Sequence, residues 1–256
     1  MRNLGHPKPG SPMNGDREGS DLDLKSLNAA FEHRSAAEIV AWAVSTFDPH
    51  VAVSSSFGAD SAVMLHLCTQ VKPDIIVVTV DTGFLFPETI AFRDALAERL
   101  KLNLHVFRPV VSREAFLEEY GKMWRSNPDG CCAFNKREPF ERAKRELGLR
   151  CWMTGIRREQ SHTRKRASIV VRDYDGLIKV CPILTWTARD VHEYLKRHDL
   201  PYHPLREKGF LSIGCQPEEG YCTVAVRPGE DPRSGRWAGF DKTECGLHTF
   251  ETGGGI

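Results

Sequence analysis

Apolar positions along the chain switch between two spacings. Ile39 to Val44 recur at helical spacing behind Ser35-Ala36-Ala37-Glu38, a capping box in which serine and glutamate satisfy the first free N–H groups of a helix. A strand over Val51–Ser56 follows, then a helix over Ala62–Leu67. Ile75–Val80 is a continuous apolar, β-branched run of the kind covered on both faces of a sheet. Pro87 opens a helix that reaches Leu100, and Asn103–Phe107 is a third strand. Further helices are predicted over Arg113–Tyr120 and over Lys136–Leu147, the latter stopped by Gly148, with strands at Cys151–Thr154, Ser168–Val171 and Ile178–Val180. Thr187, with Asp190 three residues on, caps a final long helix over Ala188–His198. Strand and helix in alternation predict an α/β fold, a parallel sheet flanked by helices and wound by right-handed crossovers.

Composition sets the limits. At 256 residues and 41% hydrophobic content the chain can bury a full core. Residues 1–22 are rich in Gly, Pro, Ser, Asn and charge without apolar period, and are expected to be a disordered leader. Residues 23–206 form the α/β domain, and 207–256 an irregular cysteine-containing loop and C-terminal tail. A formal net charge of +1 gives no reason to expect nucleic acid or an acidic membrane surface as partner. No stretch is long and apolar enough for a membrane span, and the N-terminus lacks a signal-peptide core, so a cytoplasmic protein is expected. Eight cysteines in a reducing compartment point to metal binding or catalysis rather than to a disulfide framework.

Four sets of residues carry candidate chemistry. Ser54-Ser55-Ser56-Phe57-Gly58-Ala59-Asp60-Ser61 joins a strand to a helix, where unpaired N–H groups and the helix dipole favour an anion and Gly58 permits close approach. It is not a Walker loop, because the Gly-Lys-Ser/Thr ending is absent. Asp81-Thr82-Gly83-Phe84-Leu85-Phe86 follows the second strand, so both loops lie at the carboxyl ends of strands, where open α/β sheets bind ligands. Aromatic and glycine residues there are expected to hold an adenosine. The tail holds Cys245 between Lys242 and His248, behind Arg227, Arg233 and Arg236, and cationic neighbours are what a working thiolate needs. A buried structural cysteine in a solubilising basic run fits the tail alone equally well. Cys131-Cys132 together with Cys215 and Cys222 can form an all-thiolate site, and spacing does not separate zinc from an iron–sulfur cluster. Cys68, Cys151 and Cys181 lie in apolar runs and read as core. Arg164, Lys165 and Arg166 read as an exposed charged face.

Taken together, Asp81–Thr89, Thr154-Gly155-Ile156-Arg157-Arg158-Glu159-Gln160-Ser161, the ending Lys242–His248 and the Ser-rich loop resemble the phosphosulfate reductase family, assimilatory enzymes that reduce adenylyl sulfate or its 3′-phosphorylated form. The resemblance spans roughly residues 35 to 250. It implies a Rossmann-like, adenine-nucleotide-binding sheet, with Cys245 as nucleophile. It also implies substrate binding by Ser55, Ser56, Phe57, Gly58, Asp81, Thr82, Gly83, Lys136, Arg157, Arg158, Arg233, Arg236 and His248. The branch acting on adenylyl sulfate holds a [4Fe-4S] cluster on a Cys-Cys pair and a later Cys-x-x-Cys, which implies Cys131, Cys132, Cys215 and Cys222 as ligands. The branch using the 3′-phosphorylated nucleotide generally lacks them. This chain departs from the pattern between Cys215 and Cys222, where six residues stand and include Glu218 and Glu219 beside the expected cluster and substrate. Val224 also replaces a basic residue common in the family.

By that resemblance the expected reaction is attack of the Cys245 thiolate on the sulfur of adenosine 5′-phosphosulfate. AMP leaves, and an S-sulfocysteine remains that thioredoxin or a similar dithiol discharges as sulfite, in sulfate assimilation for cysteine biosynthesis. The alternatives are reduction of 3′-phosphoadenosine 5′-phosphosulfate and, from a different class, a non-catalytic nucleotide-binding zinc protein in which Cys245 merely packs.

Overall fold

The computed structural model describes residues 22–173, 175–227, 229–238, 240, 242 and 244–247. The predicted leader, apart from Leu22, and His248 lie outside the described residues. Among the described residues six strands form one sheet: β1 Val51–Ser54, β2 Ile76–Val80, β3 Asn103–Phe107, β4 Cys151–Thr154, β5 Val170–Arg172 and β6 Ile178–Val180. The helices are α1 Leu24–Phe31, α2 Ala36–Phe47, α3 Ser61–Val71, α4 Pro87–Leu100, α5 Arg113–Tyr120, α6 Met123–Ser126, α7 Pro128–Cys132, α8 Glu138–Glu146 and α9 Ala188–Arg197. Among the described residues no helix is long and apolar enough to cross a membrane.

Strand order is β3-β2-β1-β4-β6-β5, with β1 parallel to both β2 and β4. Alternation along the strands explains the layering, because successive side chains point to opposite faces. Val51 and Val53 of β1 and Cys151 and Met153 of β4 enter the larger core with α2, α3 and α9, whereas Ala52 and Trp152 turn to the other face against Phe140 and Ala143 of α8. Cys68, Cys151 and Cys181 are fully buried in that larger core, as expected from their apolar runs.

The predicted caps form. Ser35 and Glu38 make the reciprocal box of α2, Thr187 and Asp190 that of α9, and Gly148 ends the α8 segment with φ +58°. One prediction is corrected. The strand at the sheet edge starts at Val170 and runs antiparallel to β6, with Val170 opposite Val180. Only residues 173–177 join the two, and a parallel return needs a crossover of a dozen or more residues. Helix α1, not foreseen in the pattern, lies against this edge, where the Asn28 side-chain amide accepts from the Val170 N–H at 2.9 Å and donates to the Val170 carbonyl at 2.8 Å.

Candidate active site

Sheet order reverses direction at β1, and the cleft opens there, over the carboxyl ends of β1 and β4. This is the place where open α/β sheets bind ligands. The cleft measures about 280 Å³. Its floor is Ser54, Ser55 and Ser56 at the end of β1 and Thr154 to Arg157 at the end of β4, with Trp152 and Phe140 to one side and Arg233, Arg236, Glu244, Cys245 and Leu247 of the tail forming the far wall. Among the described residues six cationic side chains line it, Lys136, Arg157, Arg164, Arg206, Arg233 and Arg236, against three carboxylates, Asp60, Glu159 and Glu244, so the cleft favours an anionic ligand.

Each cation is held by a definite element. Lys136 stands on a π-helical turn, Ala133–Arg137, that links α7 to α8, a widened turn of a kind frequent at functional sites. Arg157 is 5% exposed and reaches Asp60 at 2.8 Å and Glu159 at 2.8 Å, while Arg206 takes the other Asp60 oxygen at 2.5 Å. Arg236 is clamped by its Nε–H bond to the Cys222 carbonyl at 3.1 Å and by stacking on Trp237. Its guanidinium lies so close over Gly214 that a side chain there would collide with it.

Of the expected substrate residues, the structure therefore brings Ser55, Ser56, Gly58, Lys136, Arg157, Arg233 and Arg236 together around Cys245. Others stand elsewhere. Phe57 adopts φ +48°, which turns its ring into the core, where it is 1% exposed, and only its backbone belongs to the loop. Arg158 leaves the cleft to bind Glu32 and the Ala167 carbonyl. Asp81 accepts the Gly83 N–H and pairs with Arg93 and Arg108, so neither Asp81 nor Gly83 lines the cleft. Thr82 lines the cysteine pocket instead.

The expected adenosine-holding role of the second loop is likewise not seen, since Phe84 packs with Phe116 and Trp124 and Phe86 with Phe210 and Leu205. That loop supports Cys215 instead: Leu85 bridges it, Gln216 donates to the Phe84 carbonyl at 2.7 Å, and the Thr82 hydroxyl lies 3.3 Å from the Cys215 sulfur.

The four expected metal-site cysteines converge. Cys131, Cys132, Cys215 and Cys222 line a single pocket, and Lys136, Arg236, Trp237 and Cys245 line both that pocket and the cleft. Cys245 thus stands in the partition between the two. The longer Cys215–Cys222 loop closes because Glu218 turns outward, not inward as expected. It accepts from Arg125, Lys122 and Trp124, and Arg125 also stacks on Tyr221 at 4.6 Å. These donors, Arg125 first, hold the Glu218 carboxyl down at about 2.

Electrostatics separates the thiols. Burial pushes Cys131 and Cys222 up to about 12 and Cys132 to about 11, with neighbouring thiols adding to the effect. Cys245 is buried too, 6% exposed, and burial alone would raise it. Lys136, the Leu247 backbone N–H and Arg236 outweigh that penalty, so its pKa lies below the ordinary cysteine value despite Glu244.

Arg164 corrects another expectation: it is 4% exposed rather than a surface charge, and its guanidinium grips Glu244 through Nε at 2.8 Å and Nη2 at 2.9 Å. Lys165 and Arg166 are exposed as expected. Arg164 and Arg206 are functional candidates that sequence reasoning missed. The basic run around Arg164 was the available signal for the first.

Residues 50–221 match the phosphoadenosine phosphosulfate reductase domain family. A phosphoadenosine 5′-phosphosulfate reductase of Xylella fastidiosa (strain 9a5c) is 48% identical over 229 residues, covering 88% of this chain and 94% of that protein. One of Xanthomonas axonopodis pv. citri is 47% identical, over 88% of this chain and 92% of its own length. The crystal structure of the phosphoadenylyl-sulfate reductase of Candida auris, a phosphate complex, superposes with a TM-score of 0.70 at 29% identity, covering 80% of this chain and 99% of that one. With the family match and these relatives joined to a cationic cleft that ends on Cys245, the chain belongs to the phosphoadenosine phosphosulfate reductase domain family and is a sulfonucleotide reductase of sulfate assimilation.

Proposed function

We propose that this protein reduces adenosine 5′-phosphosulfate to sulfite and AMP through an S-sulfocysteine on Cys245, discharged by thioredoxin or a similar dithiol protein in the cytoplasm. The observation that carries the reading is the placement of Cys245 in the wall shared by the cationic cleft and the four-cysteine pocket. The Ser55–Gly58 backbone and Ser56 take the nucleotide phosphate, and Arg157, Arg233, Arg236 and Lys136 neutralise phosphate and sulfonate oxygens. His248 completes this set by resemblance. The Cys245 thiolate attacks the sulfonate sulfur, the new S–S bond forms as the S–O bond to the nucleotide phosphate breaks, and AMP departs with that oxygen. A dithiol then attacks the Cys245 sulfur, sulfite leaves with the electron pair of the S–S bond, and the second thiol of the donor frees Cys245 as the donor becomes a disulfide.

The residues around the cysteine pocket fit a [4Fe-4S] cluster. Cys131, Cys132, Cys215 and Cys222 would hold it, and the Thr82 hydroxyl and the Asn135 amide lie at 3.3 and 3.6 Å from two of the sulfurs, where they would tune thiolate ligands. Four thiolates suit either zinc or an iron–sulfur cluster, and it is the family resemblance that favours the cluster. Bound there, the cluster would supply structural and electrostatic support next to Lys136, not electrons, because Cys245 and the dithiol account for both.

A second reading, reduction of 3′-phosphoadenosine 5′-phosphosulfate, is favoured by the names of the relatives. Anaerobically purified protein offered each nucleotide separately distinguishes the two by kcat/KM, with sulfite release and the covalent sulfonate on the Cys245 peptide followed by mass spectrometry. Higher kcat/KM for the 3′-phosphorylated nucleotide, or iron-free colourless protein that turns over normally, sinks the first reading. Undiminished sulfite formation in Cys245→Ser sinks both.

A further inference from the structure

Glu244 and Cys245 are chain neighbours in the cleft wall, but their side chains are held by different groups. Around the sulfur stand Lys136, Arg236 and the Leu247 N–H. The Glu244 carboxylate instead accepts from Arg164 through a two-pronged contact at 2.8 and 2.9 Å and from Arg233 at 3.1 Å. Arg164 is itself fixed, since its remaining amino group donates to Gln160 at 2.5 Å on the short helical turn after β4. All three charged side chains are mostly covered, 5% exposed for Arg164 and 14% for Arg233 and Glu244. Burial and the adjacent Arg164 push Arg233 down to about 10, the mark of two cations packed side by side, and the Glu244 carboxylate is what both share. The forked Arg164 contact belongs to the strong, charge-assisted class of hydrogen bond, and removing one partner would leave the other charges buried and uncompensated. Cys245, next along the chain from this clasped carboxylate, is only 6% exposed.

We propose that Glu244 is the latch of the catalytic tail: clasped by Arg164 and Arg233, its carboxylate keeps Cys245 inside the cleft, and its release presents the sulfur to an external dithiol. The inference rests on the reading of Cys245 as the sulfonate carrier, and it makes Glu244, Arg164 and Arg233 positioning residues for the second half of the reaction.

The test is alkylation of Cys245 by iodoacetamide in the anaerobically purified full-length protein, followed on the tail peptide by mass spectrometry across pH. The high-pH plateau of the rate reports access to the sulfur, and its midpoint reports the local charge. Glu244→Gln, which keeps the shape and loses the charge, is expected to raise the plateau about tenfold or more. Arg164→Lys, which keeps the charge and loses the fork, raises it less. A shifted midpoint with an unchanged plateau overturns the latch. If Glu244→Gln does not fold, Arg164→Gln asks the same question from the other partner, and an unchanged plateau there has the same meaning. No nucleotide is involved, so the two readings part cleanly. Adduct formation with a plateau indifferent to Glu244 removes the latch alone, and a raised plateau without any adduct removes the reductase chemistry while supporting the latch contact.

Discussion

Lys136 and Cys245 face one another in the partition between the nucleotide cleft and the four-thiol pocket, and the ammonium is the largest of the influences that offset the cost of burying the sulfur. The π-helical turn that carries Lys136 follows directly on Cys132, so one short stretch of chain serves both cavities. Removing the cation leaves burial and Glu244 acting to raise the thiol. In Lys136→Ala the rate of S-sulfocysteine formation, measured in single turnovers, is therefore expected to rise at higher pH than in the parent. An unshifted midpoint would show that Lys136 does not set the thiolate.

Gly214 is a second lever on the site, reached through Arg236. A β-carbon at Gly214 would collide with the Arg236 guanidinium, which has little room to retreat because its Nε–H is bonded to the Cys222 carbonyl. Gly214→Ala and Arg236→Ala are both expected to lower kcat/KM about tenfold or more, through loss of the charge-assisted contact to substrate proposed for Arg236. Steady-state kinetics of the two variants side by side checks this, and a fully active Gly214→Ala enzyme contradicts it.

Arg158 and Arg157 are adjacent in sequence and opposite in consequence. Arg158 pairs with Glu32 at the end of α1, partly exposed, and is worth at most about 1 kcal/mol to stability. Arg158→Ala should leave nucleotide KM unchanged, whereas Arg157→Ala removes a buried cation from the cleft and should raise KM by about tenfold. Equal effects of the two substitutions on KM would refute the placement.

His203 gives the fold a pH dependence of its own. It is fully buried, its Nδ1 accepts the Leu205 N–H at 3.1 Å, and its Nε2 donates to the Thr89 hydroxyl at 3.0 Å. Burial holds its pKa down at about 4, below the roughly 6.5 of an unfolded histidine. Between those values the unfolded chain binds a proton that the native chain refuses. Stability from this group is thus complete above about pH 6.5 and is lost as pH falls toward 4, by on the order of 2–3 kcal/mol. Urea titrations from pH 7 to 4 should show that slope, flattened in His203→Gln.

The sheet and its main helices were legible because their signals are local. Ser35 with Glu38, Pro87 and Thr187 with Asp190 mark helix starts, and the β-branched run at Ile76–Val80 marks a central strand. The direction of β5 was legible as well, in the shortness of the link to β6, but the rhythm of strands and helices before it argued for continuation. What local pattern could not show are partners far along the chain. Arg164 sits in a basic run that by composition belongs to the surface, and only the fold brings Glu244 to it across eighty residues. Phe57 lies inside the phosphate-binding loop, yet a single positive φ sends its ring inward. The aromatic residues at Phe84 and Phe86 are of the right type for a base, and are spent on packing beneath Cys215 and beside Phe210.

The contact of Asn28 with Val170 reaches beyond this domain. An outermost strand offers its free N–H and C=O groups to any other extended segment, including the same strand of a second molecule. Here a side-chain amide on α1 takes up both groups of Val170, imitating the neighbour that the strand lacks. Helix α1 thereby works as a stopper at this edge, denying strand-by-strand addition of further copies a foothold at Val170.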